Sequence, residues 1–216
     1  MRKGSRVTGI PGAFAQGIHE DINNLNPDDP DNTDLHLYNL SEVLKAKIVF
    51  IVQVRIASDC LNEVLRLAEK ESSVATTVQG GQDTGGKFWK DNLKQYIEIT
   101  KKKIRILPSN TKSGKVHAES GMEYAKAVAA AFFRVNPEAN VKIVELPDLS
   151  IGGNFADWYA NYKEENEKII ATPAMEAFGE ICKQAKVITP DDVKMWDLLD
   201  DEFDDEFDDE FEEIDF

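Results

Sequence analysis

Cysteine and histidine are scarce in this chain, with two of the first and three of the second among 216 residues. Cys60 and Cys182 fall inside predicted helices with no CxxC partner and no histidine cluster beside them, so they read as buried, reduced thiols rather than metal ligands or a redox pair. A long apolar run is also missing. Nothing approaches the ~20 consecutive apolar residues of a membrane span. The opening Met1-Arg-Lys-Gly leads to glycine and proline instead of the apolar core of a signal peptide, which sets the expectation of a cytoplasmic protein with no membrane partner.

Basic residues are absent from the last stretch. Residues 197–216 hold 13 acids and no base, leaving 27 acids against 25 bases over 1–196. The net charge of −15 is therefore concentrated in one segment, on a body that is nearly neutral. Within that segment Phe203, Phe207 and Phe211 recur every four residues, and the sequence closes on Ile214 and Phe216. Repulsion between like charges opposes an isolated helix, and few apolar partners are present, so disorder until binding is expected. A solubilising tail is one reading. Regularly spaced phenylalanines favour another, in which Phe203, Phe207, Phe211, Ile214 and Phe216 anchor a partner.

The chain is long enough for one α/β domain with a real core plus extensions. Residues 1–36 are rich in glycine, proline and Asn/Asp turns, giving an irregular arm with at most a short helix near Ala13–Leu25. Strands and helices then alternate. Strands are expected at Ile48–Gln53, Val74–Val78, Ile104–Leu107 and Val141–Leu146, and helices at Ser58–Lys70, Lys87–Tyr96 and Gly114–Arg134. This order predicts a parallel, Rossmann-like sheet of about four strands with helices on both faces. A helical stretch over Phe155–Ala185 and a short helix at Pro190–Leu199 follow.

The first strand, Val49-Phe-Ile-Val-Gln-Val-Arg-Ile-Ala-Ser58, preceded by Leu37-Tyr-Asn39, is similar to the opening of the Toprim domain of bacterial and phage primases. Ile106-Leu-Pro-Ser-Asn-Thr-Lys-Ser-Gly-Lys-Val-His-Ala-Glu119 resembles that family's third strand and loop. Val144-Glu-Leu-Pro147 and Gly153-Asn-Phe-Ala-Asp-Trp158 resemble its later motifs, in the same order. The resemblance implies a Toprim-like domain over 37–162, while the helical pattern and the charge leave a helical extension over 163–196 and the acidic tail over 197–216.

The departures fall on the charged positions. Where the family carries an acid/base glutamate, this chain has Gln53, and where it carries the Asp-x-Asp pair that holds Mg²⁺ it has Ser109 and Thr111. Asn154 replaces a further aspartate, and Asp157 alone is retained. An amide cannot shuttle a proton, and neutral hydroxyls are weak ligands for a hard cation that must neutralise phosphoryl charge. The implied reading is a non-catalytic relative with no cofactor. Val54 and Arg55 add bulk and positive charge to the turn where the family has glycine. Arg55, Lys112 and Lys115 fall at the C-terminal ends of the predicted strands, where they either contact a DNA or RNA backbone or remain solvated charges.

Two other patterns carry less. Gly81-Gln-Asp-Thr-Gly-Gly86-Lys87 matches most of a phosphate-binding P-loop, but Phe88 stands where a Mg²⁺-binding hydroxyl is needed, so a linker is expected. His117 lies in the motif region and reads as a packing or surface residue. Trp158, Tyr159 and Tyr162 offer base-stacking surfaces, with Trp158 expected in the core. The final residues resemble the acidic tip of bacterial single-stranded-DNA-binding proteins, which docks replication and repair enzymes, with Asp215 in place of a proline.

Three functions follow as expectations. The first is a nucleic-acid-binding or scaffolding component of phage or mobile-element DNA replication. The second is an active, Mg²⁺-dependent nucleotidyltransferase working through Glu145, Asp148 and Asp157. The third is an acidic DNA mimic or inhibitor whose tail occupies a basic groove on a DNA-processing enzyme or this chain's own sheet edge.

Overall fold

A computed structural model describes residues 37–78, 86–112, 120–166 and 171–196. The arm 1–36, Lys115, His117 and the acidic segment 197–216 lie outside the described residues. The element order is α1 (Leu40–Lys45), β1 (Ile48–Val52), α2 (Arg55–Leu67), β2 (Ser73–Thr76), α3 (Lys87–Asn92), a 3₁₀ turn (Leu93–Tyr96), α4 (Ile97–Thr100) and β3 (Lys103–Leu107). Then come α5 (Gly121–Val135), β4 (Asn140–Ile143), α6 (Phe155–Asn166), α7 (Ala171–Gln184) and α8 (Pro190–Met195). The four strands form one all-parallel sheet in the order β2-β1-β3-β4, with Val49 level with Val74 and Ile104, and Ile104 level with Val141. This is the α/β, Rossmann-like architecture expected from the alternation.

β1 consists entirely of aliphatic and aromatic residues because helices cover both of its faces. On one face Val49, Ile51, Ile104, Ile106 and Val141 pack with Trp89, Val128 and Phe132. On the other, Phe50, Val52, Ala75 and Leu107 meet Leu61 and Leu65 of α2, Trp158 of α6 and Phe178 of α7. The Phe178 ring lies 5.4 Å from Phe50, 5.2 Å from Phe155 and 5.9 Å from Trp158. α7 thus shares the central core with the sheet. Trp158 is a core residue, as expected, and Tyr159 is buried beside it.

Both outer edges are occupied. Leu37 bridges to Val78 beyond β2, while the Asn62 amide on α2 grips Ala75, accepting from its N–H at 2.8 Å and donating to its carbonyl at 2.9 Å. Beyond β4, Val187 bridges to Lys142, and the Ile188 N–H donates to the Val141 carbonyl at 3.0 Å. Unpaired strand edges invite association, so these pairings protect the sheet.

Boundaries moved for identifiable reasons. α2 begins three residues before the expected Ser58, with the Ala57 and Ser58 N–H groups donating to the Val54 carbonyl. α5 begins at Gly121 instead of Gly114, where the Ser120 hydroxyl accepts from the Glu123 N–H and the Glu123 carboxylate accepts from the Ser120 N–H. The stretch expected over Phe155–Ala185 is two helices. α1 was not expected from the sequence, for it buries only Val43 and is too short to display a period. Both thiols are free and half-buried instead of buried, and burial pushes Cys182 up to about 11.

α8 is held by a second capping box, in which Thr189 accepts from the Asp192 N–H and Asp192 accepts from the Thr189 N–H. Lys186 donates to the same carboxylate, and these bonds hold Asp192 down at about 2. A depressed folded-state value stabilises above the unfolded value near 3.9, and that stabilisation is lost as pH falls through about 2. We expect α8 to loosen between those limits in the wild type. In Asp192→Asn the loosening is present at neutral pH and no longer varies with acid, read from tryptophan emission of Trp196.

Candidate functional site

The chain leaves β1 toward β2 on one side and returns to β3 on the other, so the sheet order reverses between β1 and β3. Open α/β sheets bind ligands outside the strand ends at such a reversal. The residues following β1 and β3 are those the sequence singled out, Gln53 and Ser109–Thr111.

They meet. Gln53 Oε1 accepts from the Ser109 N–H at 3.1 Å, joining the ends of the two strands. Asn110 carries the joint on to the loop after β4. Its side-chain amide donates to the Leu149 and Ser150 carbonyls at 2.6 and 3.1 Å, its N–H donates to the Gly153 carbonyl at 2.7 Å, and its own carbonyl accepts from Gly152 at 2.8 Å. The loop then passes so close to α5 that a Cβ on Gly121 would sit 1.9 Å from the Ser109 carbonyl oxygen. Glycine is demanded there by contact between backbones.

Asn154 and Asp157 serve the start of α6. Asn154 Oδ1 accepts from the Ala156 N–H at 2.9 Å, and the Asp157 carboxylate accepts from the Asn154 N–H at 2.9 Å. This reciprocal pairing caps the helix. The Asp157 carboxylate thus takes part in holding the first turn of α6.

A cavity of about 260 Å³ opens at the end of β3, lined by Ser109, Asn110, Thr111, Glu145 and Asp148 together with apolar neighbours. Its two carboxylates come from the segment after β4, where Asp148 adopts a left-handed φ of 57°. Among the described residues no three His, Cys, Asp or Glu side chains gather at one point.

Of the three candidate basic residues, Arg55 and Lys112 are described and both are exposed at this end of the sheet. Arg55 opens α2 with a side chain 67% exposed, its guanidinium 4.8 Å from the Tyr38 ring centroid and its Nε 3.6 Å from Asp59. The Tyr38 hydroxyl donates to the same Asp59 carboxylate at 2.6 Å, and burial, aided by that carboxylate, pushes its pKa up. Sequence reasoning missed this trio, although Arg55 and Asp59 stand four apart, the spacing of helical ion pairs.

Trp158 and Tyr159 are buried, and Tyr162 is partly buried against the same core. Trp158 lies between Phe155, Tyr162 and Phe178. At the glycine-rich loop, residues 81–85 lie outside the described residues, while Gly86 has φ 66° and Phe88 is buried against Trp89. The eighth position of the P-loop-like pattern is a core residue. No helix among the described residues is long and apolar enough to cross a membrane. Compared with protein-family models, curated proteins and solved structures, the chain matches none.

Proposed function

We propose that this chain is a primase-type Toprim scaffold whose transfer site has become a structural joint, and that it serves phage or mobile-element DNA replication in the cytoplasm as a binding component. It holds a nucleic-acid backbone at the C-terminal ends of its strands and presents its acidic segment to a replication or repair enzyme. The observation that carries this reading is the Gln53–Ser109 hydrogen bond. At the position the resemblance gives to an acid/base, a side chain that cannot exchange a proton ties two strand ends together. Mg²⁺ supplies charge neutralisation in such sites when bound, and it wants anionic oxygens. The hydroxyls of Ser109 and Thr111 are neutral, whereas Arg55 and Lys112 bring fixed positive charge that meets phosphate directly.

The test is fluorescence anisotropy with a labelled single-stranded oligonucleotide across a salt series. Arg55→Ala and Lys112→Ala should each weaken binding about tenfold at low salt and lower the slope of log affinity against log salt by about one. Both side chains are exposed, so folding stability should stay within about 0.5 kcal/mol of wild type. Wild-type affinity untouched by either change would remove the cleft from the interface. A wild type that binds no oligonucleotide at low salt would end the reading.

A second reading has its own support. Glu145 and Asp148 share the cavity with Ser109 and Thr111, so two carboxylates from a different segment stand near the position of the missing pair. They are the groups an active Mg²⁺-dependent transferase would have to use.

A further inference from the structure

Beside the strand-end cavity lies a larger groove of about 510 Å³ along the outer side of β4. Ile143, Ile181, Ala185, Ile188 and Trp196 wall it, with Glu145 and Lys186 at its polar margin. Two of the exposed apolar side chains of the described residues, Val187 at 53% and Met195 at 80%, belong to the segments that form the wall. The wall itself is firmly held. Lys142 donates to the carbonyls of Cys182 and Lys183 at the end of α7, and the Asp192–Lys186 pair fastens α8 to the segment before it. A pre-formed apolar concavity of this volume is the usual form of a binding site.

Its position in the chain indicates what fills it. Trp196 is the last described residue before the acidic segment, and it is part of the groove wall. The next residues are Asp197-Leu-Leu-Asp200, so Leu198 and Leu199 lie within about 7–11 Å of Trp196 even in a fully extended chain. Tethering over so short a distance gives an effective concentration of millimolar order, enough for a modest apolar contact to be populated. Charge agrees with this placement. The Lys126 ammonium lies 5.3 Å from the Trp196 ring centroid, so a cation stands beside the residue to which the acidic segment is joined.

The geometry points to residues 197–203 of this same chain as the occupant of the groove, with Leu198, Leu199 and Phe203 inserted and the intervening acids at its margin. The groove and the strand-end cavity share Met122 and Glu145. A docked segment therefore sets carboxylates beside the cleft and competes with an anionic ligand there. Docking stands on the groove alone, while the competition rests on the proposed nucleic-acid binding.

Hydrogen–deuterium exchange on the full chain separates the two. In the combined variant Leu198→Ser, Leu199→Ser and Phe203→Ser, amides of residues 181–188 should exchange about tenfold faster than in wild type, the ratio of a millimolar effective concentration to a peptide Kd near 0.1 mM. A synthetic peptide of residues 197–216 should restore the protection, and Ala185→Glu in the groove should abolish its effect. Equal exchange in wild type and variant, or a peptide without effect, overturns the docking. Protection that grows with protein concentration also overturns it, by assigning the groove to a second copy. Oligonucleotide affinity should rise about tenfold in the combined variant. An unchanged affinity in a chain that does bind overturns the competition and leaves the docking in place.

Discussion

Gly121→Ala should unfold at much lower urea than wild type, with a loss of roughly 3 kcal/mol or more. The added Cβ would sit 1.9 Å from the Ser109 carbonyl oxygen and 2.9 Å from the Ser109 nitrogen and carbonyl carbon. All three are backbone atoms, so no rotamer change relieves the clash. Either α5 retreats from the sheet or the loop after β3 is displaced. α5 cannot retreat cheaply, because Val128, Ala129 and Phe132 are fully buried against the sheet. Displacing the loop strains the Gly121 N–H bond to the Thr111 carbonyl at 3.3 Å and the Gln53–Ser109 bond at 3.1 Å. The mutation therefore strikes the strand-end joint itself. Gly179→Ala supplies the contrast, since a Cβ in that part of α7 meets nothing within 4 Å. Removing a mid-helix glycine there should stabilise by about 0.5–1 kcal/mol. A Gly121→Ala midpoint within about 1 kcal/mol of wild type would mean that the loop yields easily and that the joint is not rigid.

The sheet was readable because its strands announce themselves. Ile48–Val52 and Ile104–Leu107 are short β-branched runs between helical periods, and the alternation dictates a parallel order. The two-helix character of 155–184 was less readable, since the apolar residues keep a helical period on both sides of the break. At the site, sequence named Gln53, Ser109 and Thr111 through resemblance, and the fold brings them together at the strand reversal. What it could not give is what each polar group bonds to. Asp157 reads from the resemblance as the one motif acid present, and the sequence gives no sign that it accepts from the Asn154 N–H. Asn62 and Asn110 carry no motif that distinguishes an amide gripping backbone from an amide in solvent, because their partners lie 13 and about 40 residues away. The groove beside β4 was invisible for the same reason, as it exists only once α7, α8 and β4 are assembled.

On the proposed reading, placing carboxylates where the Toprim resemblance puts them should create a metal site that also controls stability. In the combined variant Gln53→Glu, Ser109→Asp and Thr111→Asp, the new glutamate can still accept the Ser109-position N–H, so the joint survives the exchange. The two new aspartates join Glu145 and Asp148 around one cavity of about 260 Å³. Like charges so placed oppose ionisation and folding together, and the chelated variant should lose about 1–3 kcal/mol against wild type. Mg²⁺ relieves the repulsion by binding only the folded form, returning about 2.7 kcal/mol at a hundred times its dissociation constant. Calorimetry should register Mg²⁺ on the variant and not on the wild type. Metal-independent stability in the variant would show that the three positions do not make a cation site, and the primase-type reading would fail with it. Mg²⁺ binding by the wild type, removed by Glu145→Gln or Asp148→Asn, would instead transfer the metal to the segment after β4. That outcome would put the transferase reading ahead of the binding reading, with Gln53 still making the joint between β1 and β3.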